Sequence, residues 1–542
     1  MSISVEIEED LFWNKFYIDD VFLYFKGHVY SHTIDSILKT IKNASLKDVI
    51  SFIKSLEGNF SIVIQKKDFV LMVVDTVCST PLFFTKIESN FYINHNPTKL
   101  IQKNKFKKYI RDDSILELSM SGYVVGNKTI YRDLYSLRAG ELVVFQNNNF
   151  KYIQYYKYFG EVKYKDYNEY IEELSEVTLN IFRKMLKEIG SKQIIIPLSA
   201  GNDSRLVASV LKHLGAKNVK CYSYGSVGNF EANIANIVAK KLGYEWMFIP
   251  LTHKDEKKFY KSSEYKDYLK FSETYCSVPF IQSLSTIKHL KEIGWVDDDA
   301  IFINGNSGDF ISGAHINALV KDMNGSNDKE KRKENILNNL IKKHFSLWGY
   351  LKTGKNIEKI KNTLWCEIVT DNGELQEIGK DHIFYEYSEL INRQSKYVVA
   401  GQKAYEFYNY KWMLPLWDCE YLHFWQKIPA EFKVNQQLYV DMLKKKNYGN
   451  VWGGDIPVNK KTITPMWIIP IRFLFKAPFA LFGVKGRKLW RTFEVSVFYY
   501  WMDALHMVNI TKYSIMIRSI FKKPRNHVSW QTEDYLKNLI NE

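Results

Sequence analysis

Two short stretches carry residue types that could handle a phosphate. Residues 194–206 read IIIPLSAGNDSRL, an apolar run that breaks into small and polar residues before a helical pattern begins. A parallel strand feeding a helix through such a turn leaves backbone N–H groups free at the helix N-terminus, where the helix dipole favours an anion. Ser199 and Ser204 add hydroxyl donors, and Gly201 can take backbone conformations barred to other residues. Asp203 adds a carboxylate that repels phosphate unless a divalent cation lies between them. The combination fits a nucleotide with Mg²⁺ rather than phosphate alone. An ordinary helix cap by Asp or Ser fits the same pattern, and the GxxxxGK[ST] loop is absent. A second polar turn, INGNSGDF at 303–310, supplies another carboxylate, Asp309.

These turns need strands and helices to hold them. Residues 165–190 have apolar positions three and four apart, which predicts an amphipathic helix. Strands at 194–198, 219–224, EWMFIPL and AIFING alternate with helices at 203–214 and near 230–242. That alternation predicts right-handed βαβ units and a parallel sheet. Residues 1–155 differ, with short β-rich runs separated by turns. SIVIQKKDFVLMVV predicts a hairpin, and TIDSILKTIKNASLKDVISFIKSLEG carries helical spacing. Residues 325–395 are largely helical and charged in pattern.

The chain has 542 residues, too many for a single core. Its five cysteines are scattered without metal spacing, as expected of free thiols in a reducing compartment. The N-terminal stretch lacks the apolar region of a secretory signal, and no run approaches the length of a membrane span. Cytoplasm is the expected location. The net charge is +15, and residues 460–525 hold 13 Lys/Arg against Glu494 and Asp503. This basic segment is interleaved with aromatic and aliphatic residues, as in MWIIPIRFLFKAPFALFGVKGRKLWR. It suits an anionic surface, either the inner face of a membrane or nucleic acid, or a helical tail packed on the body with its cations in water. No nucleic acid is expected as a partner.

Leu198-Ser199-Ala200-Gly201-Asn202-Asp203-Ser204 resembles the SGGxDS loop of the PP-loop ATP pyrophosphatases, with one Gly replaced by Ala. The residues beyond this loop are similar to one branch, the asparagine synthetase family. VKCYSYGS, with Tyr222 and Ser223, stands at that family's adenine-side strand, and Glu231 matches its acidic residue opening the next helix. INGNSGDFISGAH resembles its second loop, GxGSDxxxGG, through Gly305, Asn306, Ser307, Gly308 and Asp309. GQKAYEFYNYKWMLPLWDCEYLHFWQKIPAEFK resembles its R.PFLD stretch, with Pro415 and Asp418 in register. The resemblance implies ATP and Mg²⁺ as cofactors, with Asp203 and Asp309 as metal ligands. A substrate carboxylate would attack the α-phosphate, giving an acyl-adenylate and pyrophosphate, and ammonia or an amine would displace AMP. The family also places a Lys in a K..LR segment; here Gln437 stands near that position. Lys433, Lys444, Lys445, Lys446, Lys460 and Lys461 are candidate replacements, with Lys433 the expected catalytic cation.

The first 155 residues resemble the class II glutamine amidotransferase domain that precedes the synthetase domain. GHVYSH is similar to NGEIYNH, LEGNFSIVI to L.G.FAFVI, and VVDTVCSTPLFF to ARDR.G.KPLYY. The resemblance implies an Ntn-hydrolase-like sheet sandwich, but Ser2 stands where the family has its N-terminal Cys nucleophile. Glutaminase activity is therefore not expected, and the nitrogen would come from ammonia or a substrate amine.

The expected organisation is α/β and α+β. A degenerate amidotransferase-like domain spans 1–158, and a synthetase-like ATP-binding parallel-sheet domain spans 165–450. A basic, apolar helical extension spans 451–542. The expected activity is an ATP-dependent, AMP-forming amide ligase acting on a small-molecule or sugar carboxylate, as in surface polysaccharide assembly. A homodimer is among the assemblies to test. A macrocyclising synthetase of the β-lactam synthetase or lasso-cyclase type, or an ATP-binding pseudoenzyme, fits the same residues.

Overall fold

The computed structural model describes residues 3–103, 105–147, 149–323, 327–458, 463 and 465–541. Ten strands build the N-terminal part: β1 (Ile3–Val5), β2 (Asn14–Ile18), β3 (Val21–Val29), β4 (Gly58–Gln65), β5 (Val70–Val74), β6 (Phe83–Ile87), β7 (Asn90–Asn94), β8 (Leu134–Ser136), β9 (Glu141–Gln146) and β10 (Asn149–Gln154). They form two sheets, ordered β1-β7-β6-β8 and β10-β9-β5-β4-β3-β2. The expected hairpin is β4–β5, antiparallel with Gln65 opposite Val70. Nearly every residue of β4 and β5 is buried because both faces are covered. Val63, Met72 and Val74 pack towards Phe84, Phe91 and Ile93 of the second sheet. Ile62, Ile64, Leu71 and Val73 pack under Ile37, Ile41, Val49 and Ile53 of helices Ile34–Lys42 and Leu46–Lys54. The helical stretch splits in two because Ser45 caps the second helix, accepting from the Asp48 N–H. Gly27 and Gly58, both with positive φ, let β3 and β4 approach closely: a Cβ on either would strike the carbonyl opposite.

The second part is a five-stranded sheet of β11 (Ile194–Pro197), β12 (Val219–Gly225), β13 (Glu245–Pro250), β14 (Ile301–Ile303) and β15 (Lys411–Met413), all parallel, in the order β13-β12-β11-β14-β15. Helices Asn202–His213 and Phe230–Leu242 cross between β11, β12 and β13 as the alternation predicts. β11 reads IIIP and is nearly all buried, as a central parallel strand must be. The edge strand β15, KWM, is three residues long, too short to show a strand period, and is missed by sequence. The amphipathic helix runs Tyr167–Ile189 and packs against helix Gln437–Lys446.

Asp418 caps helix Cys419–Trp425 just after β15, accepting from the Glu420 N–H at 2.9 Å. Burial pushes its carboxyl up to about 7 from the ordinary 3.8. The native state therefore holds this proton longer than the unfolded chain, and the stability it contributes at low pH is lost as pH rises from 3.8 to about 7. Asp418→Asn keeps a capping oxygen without the charge. It is expected to gain on the wild type by up to roughly 1.4 kcal/mol per pH unit across that window, then level off. Urea midpoints across the window check this, and parallel curves for the two proteins would contradict it.

The C-terminal segment is not uniform. Trp530, Val508 and Met516 share a core with Leu118, Tyr275, Leu347 and Trp348, so most of it is built into the body. The hairpin of helices Ile468–Ala480 and Gly483–Val497 is different, for Met466, Phe473, Leu474, Leu481 and Phe482 are all exposed.

Candidate active site

β11 connects towards β12 on one side, and the chain returns to β14 on the other, so the strand order reverses between β11 and β14. At such a point the two loops part and leave a crevice at the carboxyl ends of the strands. A cleft of about 300 Å³ lies there. The first loop lines it with Leu198, Ser199, Gly201, Asn202, Asp203 and Ser204, β12 with Ser223, and the second loop with Gly305, Asn306 and Asp309. Glu231, on helix Phe230–Leu242, also faces it, and burial pushes its carboxyl up.

The first loop folds around its own hydroxyls. Ser199 N–H donates to Ser204 Oγ at 3.0 Å, and Gly201 N–H donates to Ser199 Oγ at 3.2 Å. Gly201 opens helix Asn202–His213 without a side-chain cap, so that helix end has no internal anion substitute. The two loops are locked through Asp203. Tyr439 donates its hydroxyl to Asp203 Oδ1 at 3.1 Å, and the Asp309 N–H donates to Oδ2 at 3.1 Å. Gly305 lies so close that a Cβ would sit 2.8 Å from Ser204 N, and a Cβ on Gly308 would run into the Asp203 carboxylate.

Burial, and then the neighbouring Asp309, push the Asp203 carboxyl up to about 7. The Asp309 side chain is 55 % exposed. Burial alone would raise its carboxyl, but His315, with Nε2 3.2 Å from Oδ2, more than offsets this and holds it down. Among the described residues lining the cleft there is no Lys or Arg. A polyphosphate here would meet N–H groups, hydroxyls and carboxylates, and the carboxylates would repel it unless a divalent cation intervened. The described residues contain no group of three or more His, Cys, Asp or Glu arranged to hold a metal. Two carboxylates on two loops nevertheless suit Mg²⁺, which is commonly held by one or two carboxylates, water and substrate phosphate.

Several sequence candidates do not line this cleft. The Ala200 side chain is buried in the core, while its carbonyl accepts from Arg205 at 3.3 Å. Tyr222 is buried beside Phe302, and only its backbone serves the loop, accepting from Leu198 N–H at 2.8 Å. Ser307 and Gly308 form the turn beneath Asp203, outside the lining. Lys433 does not reach the cleft either. It is 1 % exposed, and its Nζ lies 2.8 and 2.9 Å from the Glu386 carboxylate oxygens. Lys445 and Lys446 pair with Glu172, and Lys444 is exposed. Lys460 and Lys461 lie outside the described residues. Of the neighbours Gln436 and Gln437, the first lines the cleft and donates to Ser312 Oγ at 2.7 Å, while Gln437 is exposed.

Sequence reasoning missed one wall. Tyr224, Gln282 and Ser283 form it, with the Tyr224 hydroxyl 2.6 Å from Ser283 Oγ and accepting from Gln282 Nε2 at 2.9 Å. Leu505 closes it from the C-terminal segment, which docks through a Ser226 N–H to Ala504 carbonyl bond of 2.7 Å. No local motif signals contacts that arise only from chain return. His315, six residues after Asp309, was legible only as the last letter of the second loop's stretch.

In the N-terminal part, Ser2 lies outside the described residues. Cys78 is buried, and burial, then Asp75, push its thiol well above the usual range. The buried Lys26–Glu406 ion pair, 2.7 Å, joins β3 to the second part of the chain.

A family model described as a glutamine amidotransferase domain matches residues 27–157. That part of the chain is a glutamine amidotransferase-like domain. No curated protein matches. Among solved structures the chain is similar to a glutamine phosphoribosylpyrophosphate amidotransferase from B. subtilis complexed with ADP and GMP. The identity is 11 %, the match covers 49 % of this chain and 77 % of that one, and the TM-score is 0.20.

Proposed function

We propose that the chain is an ATP-dependent, AMP-forming amide ligase of the asparagine synthetase type, built on a PP-loop sheet behind the amidotransferase-like domain. The observation that carries this reading is the meeting of Asp203 and Asp309, from the loops after β11 and β14, in a cleft at the sheet's topological switch point. The two carboxylates would hold Mg²⁺, which supplies charge neutralisation for the nucleotide phosphates when bound. Open N–H groups of helix Asn202–His213, with the Ser199 and Ser204 hydroxyls, would orient the phosphates. The wall that includes Tyr224 and Leu505 would help to keep water from the bound nucleotide. Nitrogen would come from ammonia or a substrate amine, and the buried Cys78 thiol, pushed well above its usual range, offers no nucleophile for glutamine. Titration calorimetry with α,β-methylene-ATP tests the site. Binding that weakens at least tenfold when Mg²⁺ is chelated supports it, and Mg²⁺-independent binding counts against it.

One observation favours a second reading, an ATP-binding module without turnover: no described lining residue carries a positive charge to meet the α-phosphate. Binding without nucleotide cleavage would favour that module.

The exposed hairpin supports peripheral contact with an anionic membrane. Leu474 is 75 % and Leu481 86 % exposed, beside Lys476, Lys485, Arg487 and Lys488, while among the described residues no helix is long and apolar enough to cross a bilayer. Apolar insertion and lipid charge would act together. Phe473→Asp with Leu474→Asp is expected to cut binding to phosphatidylglycerol-containing vesicles at least tenfold. Flotation unchanged by these substitutions, and by high salt, would contradict the contact.

A further inference from the structure

On the other side of the Asp309 turn lies a second cleft, of about 580 Å³. His315 links the two: its Nε2 is 3.2 Å from Asp309 Oδ2, its Nδ1 is 2.6 Å from Glu389 Oε1, and its ring helps line the second cleft. Six cations line this cleft: Lys342, Lys343, Lys352, Arg491, Lys523 and Arg525. They come from four separate stretches of chain, which converge only in the folded state. Among the described residues no carboxylate lines it, and none of the six is in an ion pair. Glu389 and Asp309 attract Lys343 from outside the lining, but Glu389 is itself taken up by His315 and by His344 Nε2 at 3.0 Å. Burial holds the Lys343 ammonium down to about 8, and burial with Arg393 and Arg491 lowers Arg525. A cleft lined by six like charges and no carboxylate carries their mutual repulsion, and a polyanion relieves it. A lone carboxylate would neutralise a single charge. Phosphate oxygens suit the planar forks of Arg491 and Arg525 together with the lysine point charges.

We propose that this cleft binds the diphosphate of the second substrate, so that the acid to be activated is carried on a diphosphate-linked molecule and presented to Asp309 from the side opposite the nucleotide. The identity of the ligand as second substrate rests on the ligase reading; the anion site does not. The His315 contact with Asp309 links the two clefts. A diphosphate seated among the six cations leaves the rest of the molecule free to extend past His315.

The probe is inorganic pyrophosphate, titrated into the full chain already saturated with α,β-methylene-ATP and Mg²⁺. Binding of one equivalent is expected, with Lys342→Ala and Arg491→Ala together raising the Kd at least tenfold. Both residues are exposed, so the double variant is expected to keep its fold, which circular dichroism checks. Lys485→Ala with Lys488→Ala removes the same charge outside the cleft and is expected to leave the Kd unchanged. Pyrophosphate excluded by the nucleotide analogue would mean that the anion is the nucleotide's own, and would overturn the proposal. So would a Kd that is the same in the cleft variant as in the wild type, or one that rises equally in both variants. Failure of the ligase reading would appear instead as no AMP formation, with this binding intact.

Discussion

Asp203→Asn and Asp309→Asn are each expected to lower ATP-dependent pyrophosphate release by roughly 10²–10³-fold, the usual loss when one charge-stabilising group is removed from a reaction centre. The expectation rests on position. Asp203 accepts from Tyr439 and from the Asp309 N–H of the second loop, so on the ligase reading its carboxylate would be held beside the reacting phosphates. Asn preserves size and the accepting oxygen, so the scaffold should stand while the cation loses its ligand. Gly308→Ala extends the test. A methyl there would strike the Asp203 carboxylate, so it should reproduce the defect without removing any charge. Quenched-flow measurement of pyrophosphate, with circular dichroism to verify folding, checks all three. Unchanged release in Asp203→Asn would contradict the assigned role.

The second large effect concerns stability. Lys433→Met is expected to cost about 3–5 kcal/mol, the range for removing one partner of a buried ion pair. Lys433 and Glu386 are both buried, with Nζ bonded to both carboxylate oxygens and 5.6 Å from the centre of the Tyr158 ring. Met keeps the aliphatic stem but strands the carboxylate. Adding Glu386→Leu removes the stranded charge and should recover most of the loss, because well-packed apolar replacements of buried pairs are often neutral or better. Chemical denaturation of the single and double variants measures this. If Lys433 served the reaction instead, Lys433→Met would stay as stable as the wild type and lose turnover alone.

Much of the site was legible because strand–turn–helix units are local. IIIPLSAGNDSRL announces a buried strand, an open turn and a helix start within thirteen residues, and the fold places them so. The pairing of Asp203 with Asp309 was readable only through the resemblance, since the two lie in separate βα connections. Gln436, which lines the cleft, lies one position before the glutamine that linear spacing indicates. Asn435 and Gln436 take left-handed conformations, with φ 56° and 59°, which turns Gln436 towards the cleft and Gln437 outward. Linear spacing cannot register such a turn. Nothing local marks Lys433, between Phe432 and Val434, as taken, because the partner that claims it is Glu386, 47 positions earlier. Leu505, β15 and the six-cation cleft depend on chain return over long separations. The basic C-terminal composition is alike in segments that pack on the body and in the hairpin that does not, so composition alone could not divide them.

The most direct measurement is the identity of the nucleotide product. Full-length protein with ATP, Mg²⁺, ammonia and a panel of carboxylic acids, diphosphate-linked sugar acids included, is followed by chromatography of the nucleotides and assay of pyrophosphate. An acid-dependent, equimolar appearance of AMP and pyrophosphate, lost in Asp203→Asn, is the predicted result. ADP and orthophosphate as products, or AMP formation that persists in Asp203→Asn and Asp309→Asn, would contradict it.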